Sequence, residues 1–269
     1  MIRIKKIFSL LPLIILFLFS CKKGNDTPPN PDSGQLAFLF EQFVDSVPLH
    51  LDTLIYENAA GNHYKLTDLQ YFISDIVLHR KTGGQFFIKS DDGIHYIDVR
   101  LQASKYWQPT DSIIQDEYDS ITFIFGITAE KNISNRFPNP PERDMAWPDI
   151  LGGGYHYMKL NMMWRNEPSV NPMPFMFHLG IGQHYSGTTP DPDSITGYIQ
   201  NYFKISFPLN LMIQTDVKKE IILEMDVNKW FGPVEIFDFA QYPMMIMQDQ
   251  TAMELACRNG RNAFRVRVK

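Results

Sequence analysis

The hydrophobic pattern splits the chain into an apolar leader, a polar stretch and a long series of alternating segments. Leu10 to Phe19 is almost wholly apolar and follows Arg3, Lys5 and Lys6, the layout of a secretory signal and too short for a membrane-spanning helix. Lys22 to Gly34 is built from Lys, Gly, Asn, Asp, Thr, Ser and Pro, a composition that reads as a flexible tether. From Leu36 onward, short segments alternate apolar and polar positions with the period of a strand. The clearest is Tyr118 to Ile127, with Ile121, Phe123, Phe125 and Ile127 on one face. Tyr71–Leu78, Tyr155–Trp164, Phe175–Gly180, Tyr202–Phe207, Lys219–Val227 and Phe264–Val268 read the same way. Phe86–Ile88 and His95–Val99 flank Asp91-Asp92-Gly93, which predicts a hairpin. Helical signals are confined to one turn at Asn228–Phe231 and a stretch at Thr251–Cys257, stopped by Asn259-Gly260. About ten short strands predict an all-β fold, most simply an antiparallel β-sandwich with long irregular loops and one or two short helices. No second linker interrupts the pattern, so residues 36–269 are expected to form a single β domain.

The leader changes the picture of where that domain works. Leu18-Phe19-Ser20-Cys21 resembles a bacterial lipobox. Residues 1–20 are then a lipoprotein signal peptide, Cys21 the lipidated residue, and 21–35 the tether. The expected location is the bacterial cell envelope, lipid-anchored to the membrane, at the outer membrane. The whole chain carries 25 Lys and Arg against 30 Asp and Glu; removing Arg3, Lys5 and Lys6 with the signal leaves 22 against 30, a net charge of −8. Such an acidic chain is not expected to take nucleic acid as a partner. With Cys21 lipidated, Cys257 stands alone, and the domain must be held by core packing rather than disulfides.

Candidate chemistry gathers between Trp147 and His184. Residues 132–148 are irregular, with Pro138, Pro140, Pro141 and Pro148, and deliver Trp147 to the Gly152-Gly153-Gly154 triplet. His156, His178 and His184 follow, among Met158, Met162, Met163, Met173 and Met176. Imidazole and thioether together suit copper, particularly Cu(I). In a regular strand, His156, Met158, Leu160, Met162 and Trp164 share one face, while Met176, His178 and Gly180 share a face of the next. The plain alternative is an apolar inner face with His156 hydrogen-bonded at its rim. A simple hairpin sets His156 near His184 rather than His178; a bulge, or another pairing, reverses that choice. Met244, Met245, Met247 and Met253 form a second group of thioethers, which also fits ordinary core filling. No nucleophile elbow, phosphate loop or zinc helix is present, so the chain is not expected to be an enzyme. The second function class is an envelope interaction or glycan-binding lipoprotein, to which the 12 Tyr, 20 Phe and 4 Trp are also suited.

Laid out in order, these residues resemble the MbnP-like family of copper-binding periplasmic proteins. The resemblance covers Leu36 to Val268 and rests on Tyr56-Glu57-Asn58-Ala59-Ala60-Gly61, Lys65 to Ile76, Ile121 to Ile127 and Trp147. It continues through Gly154-Tyr155-His156-Tyr157-Met158-Lys159-Leu160 and Phe177-His178-Leu179-Gly180, and finishes with Met247-Gln248 and Asn259-Gly260. It implies a β-rich copper carrier or sequestering protein that works with a MauG-like dihaem cytochrome. In that pattern the partner oxidises a Trp to kynurenine, and the modified residue and His side chains hold copper. Trp147 matches the Trp, His178 matches the His before Leu-Gly, and His156 is the choice for the second ligand, with Met158 or Met176 as a completing thioether. The chain departs from the pattern at Asn161, where an acidic residue is usual.

Overall fold

The computed structural model describes residues 32–242 and 244–269. The expected signal peptide, Cys21 and the tether as far as residue 31 lie outside the described residues. Residues 33–35, expected as the end of the tether, already belong to the first strand.

Two sheets carry the fold. The first contains β1 (Ser33–Val44), β2 (Val47–Pro48), β7 (Tyr106–Trp107), β8 (Ile113–Ile114), β15 (Lys218–Asp226) and β16 (Phe264–Val268). The second contains β3 (Tyr56–Glu57), β4 (His63–Arg80), β5 (Gln85–Phe87), β6 (Ile94–Asp98), β9 (Asp116–Phe125), β10 (Met158–Arg165), β11 (Met173–Leu179) and β14 (Phe203–Ile213). A separate ribbon joins β12 (Gly182–Tyr185) to β13 (Ile195–Ile199). The one α-helix, α1 (Gln250–Gly260), is capped by the Asp249 side chain, which accepts from the Ala252 N–H. No described helix is long and apolar enough to cross a membrane.

The alternating faces read from the sequence are the ones buried. Ile121, Phe123 and Phe125 of β9 are inaccessible to solvent. Phe123 and Phe125 meet Phe264 of the opposite sheet at 5.6 and 5.9 Å between ring centres. This face-to-face packing makes the molecule an all-β sandwich. Two pairings differ from expectation. β1 and β15 run parallel, Phe38 opposite Ile221, so the sandwich is not wholly antiparallel. β5 and β6 do not pair as a hairpin; both lie along β4, opposite residues 77–79 and 70–74. Asp91 and Asp92 have positive φ and loop the chain out and back without reversing it. The other departure is length: Tyr71–Leu78 is part of one strand of 18 residues, His63–Arg80.

That long strand positions the site. The edge of β4 away from β6 pairs with β10 up to Tyr71 and with β9 from Ile73 onward. The two partners meet at Phe72, whose N–H donates to the Tyr157 carbonyl (3.0 Å) and whose carbonyl accepts from the Gly126 N–H (2.9 Å). A Cβ on Gly126 would lie 2.8 Å from the Tyr157 ring, and its φ of +91° is one that favours glycine. The chain must therefore jog at Tyr157.

Candidate metal centre

The jog at Tyr157 is a β-bulge. Met158 stands in register with Leu179, yet the Tyr157 N–H also donates to the Leu179 carbonyl at 2.7 Å. Two residues thus oppose one, and alternation is broken between them. Below the bulge, Met158, Leu160, Met162 and Trp164 face the core. His156, beyond it, comes out on the other face, beside His178. The expectation that His156 and Met158 share a face is corrected for this reason. Met158 is wholly buried opposite Leu179 and Tyr71, on the side of the sheet away from His178.

His156 and His178 face each other edge to ring, with centres 5.1 Å apart and planes at 86°. Trp147 packs on His156 in the same manner at 4.6 Å. The residues that hold this row come from the irregular segment before it. Residues 145–147 run antiparallel to 154–156, the Trp147 N–H donating to Gly154 (2.9 Å) and the His156 N–H to Met145 (2.7 Å). The indole N–H of Trp147 donates to the Leu151 carbonyl at 3.2 Å. Its ring lies over Gly180, where a Cβ would fall 2.5 Å from Cε3. The triplet and the Phe-His-Leu-Gly step are thereby explained together: one aims Trp147, and the other leaves room for it.

Hydrogen bonds fix the proton on each imidazole. His156 Nδ1 lies 2.9 Å from the Met145 carbonyl, which can only accept, so Nδ1 carries the hydrogen and Nε2 the lone pair. His178 Nε2 lies 2.8 Å from Asn161 Oδ1, so His178 carries its lone pair on Nδ1. Burial pushes the His156 pKa down to about 4, with Lys159 acting the same way and the backbone carbonyls of Met145 and Ala146 opposing. Burial, then His156 and Lys159, pushes His178 down to about 3. Both rings are neutral at pH 7 and each offers one nitrogen to a ligand.

These features fit a soft ion bound by few ligands. With about 2 Å from nitrogen to metal and about 1 Å from nitrogen to ring centre, two imidazoles on one ion have centres at most about 6 Å apart. The observed 5.1 Å allows a shared ion at a bent angle, which leaves room for a third ligand. Among the described residues no group of three or more His, Cys, Asp and Glu could hold a metal, so a hard, oxygen-seeking cation finds no cage here.

The remaining sequence candidates separate. Met176 stays on the outer face of β11, two residues from His178 and in register with Asn161. His184 is exposed on β12 opposite Gly197. The choice between His178 and His184 as neighbour of His156, open in the sequence, falls to His178, because the bulge brings His156 to the face of His178 and β11 ends before residue 184. Asn161 and Lys159 are the residues whose parts the sequence did not disclose. Their spacing put them on the outer face, but only the strand register shows that His178 lies across from them.

Comparison with known proteins gives two findings. The model of the MbnP family matches residues 33–248. A solved structure, MbnP from Methylosinus trichosporium, is similar with 17% identity over 75% of this chain and 78% of that one, at a TM-score of 0.48. No curated protein matches the chain.

Proposed function

The chain belongs to the MbnP family, and from that premise we propose that it is an exported copper-holding protein, a carrier or sequestering agent for Cu(I). The observation that carries the proposal is the pair of neutral imidazoles, His156 and His178, buried together with one lone-pair nitrogen on each. Cu(I) accepts such nitrogens, and neutral ligands in an apolar setting favour its single charge. Trp147, packed on His156, is the residue for oxidation to kynurenine by a MauG-like dihaem partner. The ring-opened side chain would place a carbonyl and an aryl amine beside the ion. In this reading the protein is not an enzyme; its residues bind, orient and shield. Its place is the bacterial envelope, anchored at the outer membrane through lipid on Cys21.

The test is metal analysis, intact mass and a peptide map over Trp147 on protein purified from its native envelope. Stoichiometric copper that is lost in His156→Ala and His178→Ala, but kept in His184→Ala, supports the reading. Equal affinity in all three variants overturns it.

A second reading, an interaction or glycan-binding lipoprotein, has one observation in its favour: a cavity of about 600 Å3 bordered by Tyr96, Trp107, Arg136, Phe137 and Glu142. Its ring faces are already engaged. Trp107 stacks on His95 and Phe38 at 4.9 and 5.5 Å, and Phe137 on Phe72 at 5.6 Å. The exposed aromatics Phe87, Tyr106 and Tyr198 belong to three different sheets and form no platform. The copper reading is therefore the stronger one.

A further inference from the structure

The second group of methionines divides: Met253 is in the core and Met247 packs against it, but Met244 and Met245 are not core filling. Met244 and Met245 are 46% and 40% exposed, whereas Ile246 beside them is fully buried. Their backbone runs along the outer edge of β11. The Met176 N–H donates to the Met244 carbonyl at 2.8 Å, and the Ile246 N–H to the Met176 carbonyl at 3.3 Å. Met176 and Met245 are bridge partners in this short parallel ladder, so their side chains leave the sheet on the same face, with Cβ atoms about 5 Å apart. That face is the outer one, because Phe175, Phe177 and Ile246 point inward. Met163 belongs to it as well. It is half-buried and paired with Pro174 in the row next to Asn161 and Met176, diagonal to Met176 at about 7–8 Å between Cβ atoms.

Three thioethers on three adjacent segments therefore share one partly solvated face, and the middle one, Met176, lies within side-chain reach of each of the other two. The amide oxygen on this face, Asn161 Oδ1, is taken up by the hydrogen bond from His178 Nε2. We infer that Met163, Met176 and Met245 form a surface site for a soft monovalent cation, Cu(I) or Ag(I), distinct from the imidazole pair. Thioether sulfur selects such ions over Zn2+, Mg2+ and Ca2+. Met176 stands two residues from His178 on one strand face, about 7 Å along it. The site is thus where an ion arriving from solvent is first held before it passes inward. The inference rests on the copper reading for that onward step only; binding at the thioethers stands or falls by itself.

The experiment is an Ag(I) titration of the intact chain carrying 13C-methyl methionine, with bound silver measured in parallel. The methyl signals of Met163, Met176 and Met245 are expected to move together at stoichiometric Ag(I), and to move equally in the His156→Ala/His178→Ala double variant. Replacing the three by Leu, close to Met in volume, should lower bound Ag(I) from two equivalents to one. Met245→Leu alone, at the most exposed position of the three, should weaken the thioether site without touching the fold. The inference is overturned if none of the three methyls moves, if their movement disappears in the His variant, or if the triple Leu variant still takes two equivalents. Failure of the copper reading registers separately, as a His double variant that loses no equivalent.

Discussion

His178 and Asn161 are diagonal neighbours on the outer face of the β10–β11 hairpin, joined by a 2.8 Å hydrogen bond from the imidazole Nε2–H to the amide oxygen. This bond decides which nitrogen of His178 is left for a ligand. Asn161 is in register with Asp68 of β4, whose Oδ1 is buried with no hydrogen-bond partner. Burial and then Asp98 already raise the Asp68 pKa. A second carboxylate across from it would meet a like charge.

Asn161→Leu should remove the acceptor that holds the His178 tautomer and weaken Cu(I) binding about 10- to 100-fold, the usual effect of losing a partner behind a ligating imidazole. A competition titration against a chromophoric Cu(I) chelator measures it. Asn161→Asp should keep the acceptor, and its negative charge should not weaken Cu(I) binding, but it should lower stability by about 0.2–1 kcal/mol through Asp68. Unchanged affinity in the Leu variant would mean that His178 needs no such support.

Gly180→Ala tests the seat of Trp147. The new methyl would lie 2.5–2.9 Å from three indole carbons, within a part of the core where Trp147 is only 2% exposed. Overpacking of this kind costs about 1–3 kcal/mol. The melting temperature should fall and the tryptophan fluorescence should change, because the indole must leave its position against His156. A variant that melts and fluoresces as the parent does would show that the ring has room to move.

The strands were legible because period-2 alternation is a local property, visible wherever one face of a sheet is buried. Ile121, Phe123 and Phe125 could be assigned inward without knowing any partner. The expected β5–β6 hairpin failed because Asp91-Asp92-Gly93 has turn composition whether or not the chain reverses there. At the site, the sequence offered His156 and His178 but attached Met158 to them. A one-residue bulge inverts the face of everything beyond it. It falls where β4 changes partner and Tyr157 packs on Gly126, 31 positions earlier in the sequence. No local pattern carries that information. The exposure of Met244 and Met245 was illegible for the same reason, since an apolar run at a sheet edge and one in a core have the same composition.

Lys159→Gln should tighten cation binding. Lys159 is the register partner of His178 and is held over this face by its hydrogen bond to the Asp144 carbonyl at 3.2 Å. Its charge acts against a proton on either imidazole and must act against a metal ion in the same place. Removing it is expected to raise Cu(I) affinity by roughly threefold to tenfold, on the order of 1 kcal/mol for a half-screened pair of charges. The gain should shrink as ionic strength rises. A gain that is independent of salt would point to a steric effect of the lysine chain instead.

The metal-free chain should lose stability on mild acidification. His156 and His95 have folded pKa values of about 4, and His178 of about 3. Burial is the leading cause for each; His95 also lies against Phe40 and Trp107 with its Nε2 on the Ser104 carbonyl. An unfolded chain binds protons at these three positions once the pH falls below about 6.5. The folded chain does not bind them until near 4, so the unfolded state holds more protons throughout that window and stability rises with pH across it. In the other direction, stability falls from pH 6.5 toward 4 and levels off below the folded values, by up to on the order of 3 kcal/mol for each fully buried imidazole. Asp68 and Asp226, whose pKa values burial raises, act oppositely. Comparison with His156→Gln/His178→Gln over the interval from pH 7 to 5.5 isolates the two imidazoles, because both carboxyls are kept. Melting temperatures of the chelator-treated protein should drop steadily over it, and the slope should flatten in His156→Gln/His178→Gln. An equal slope in that variant would mean that these two rings are protonated in the fold as readily as in the unfolded chain, and the neutral pair on which copper binding depends would be lost.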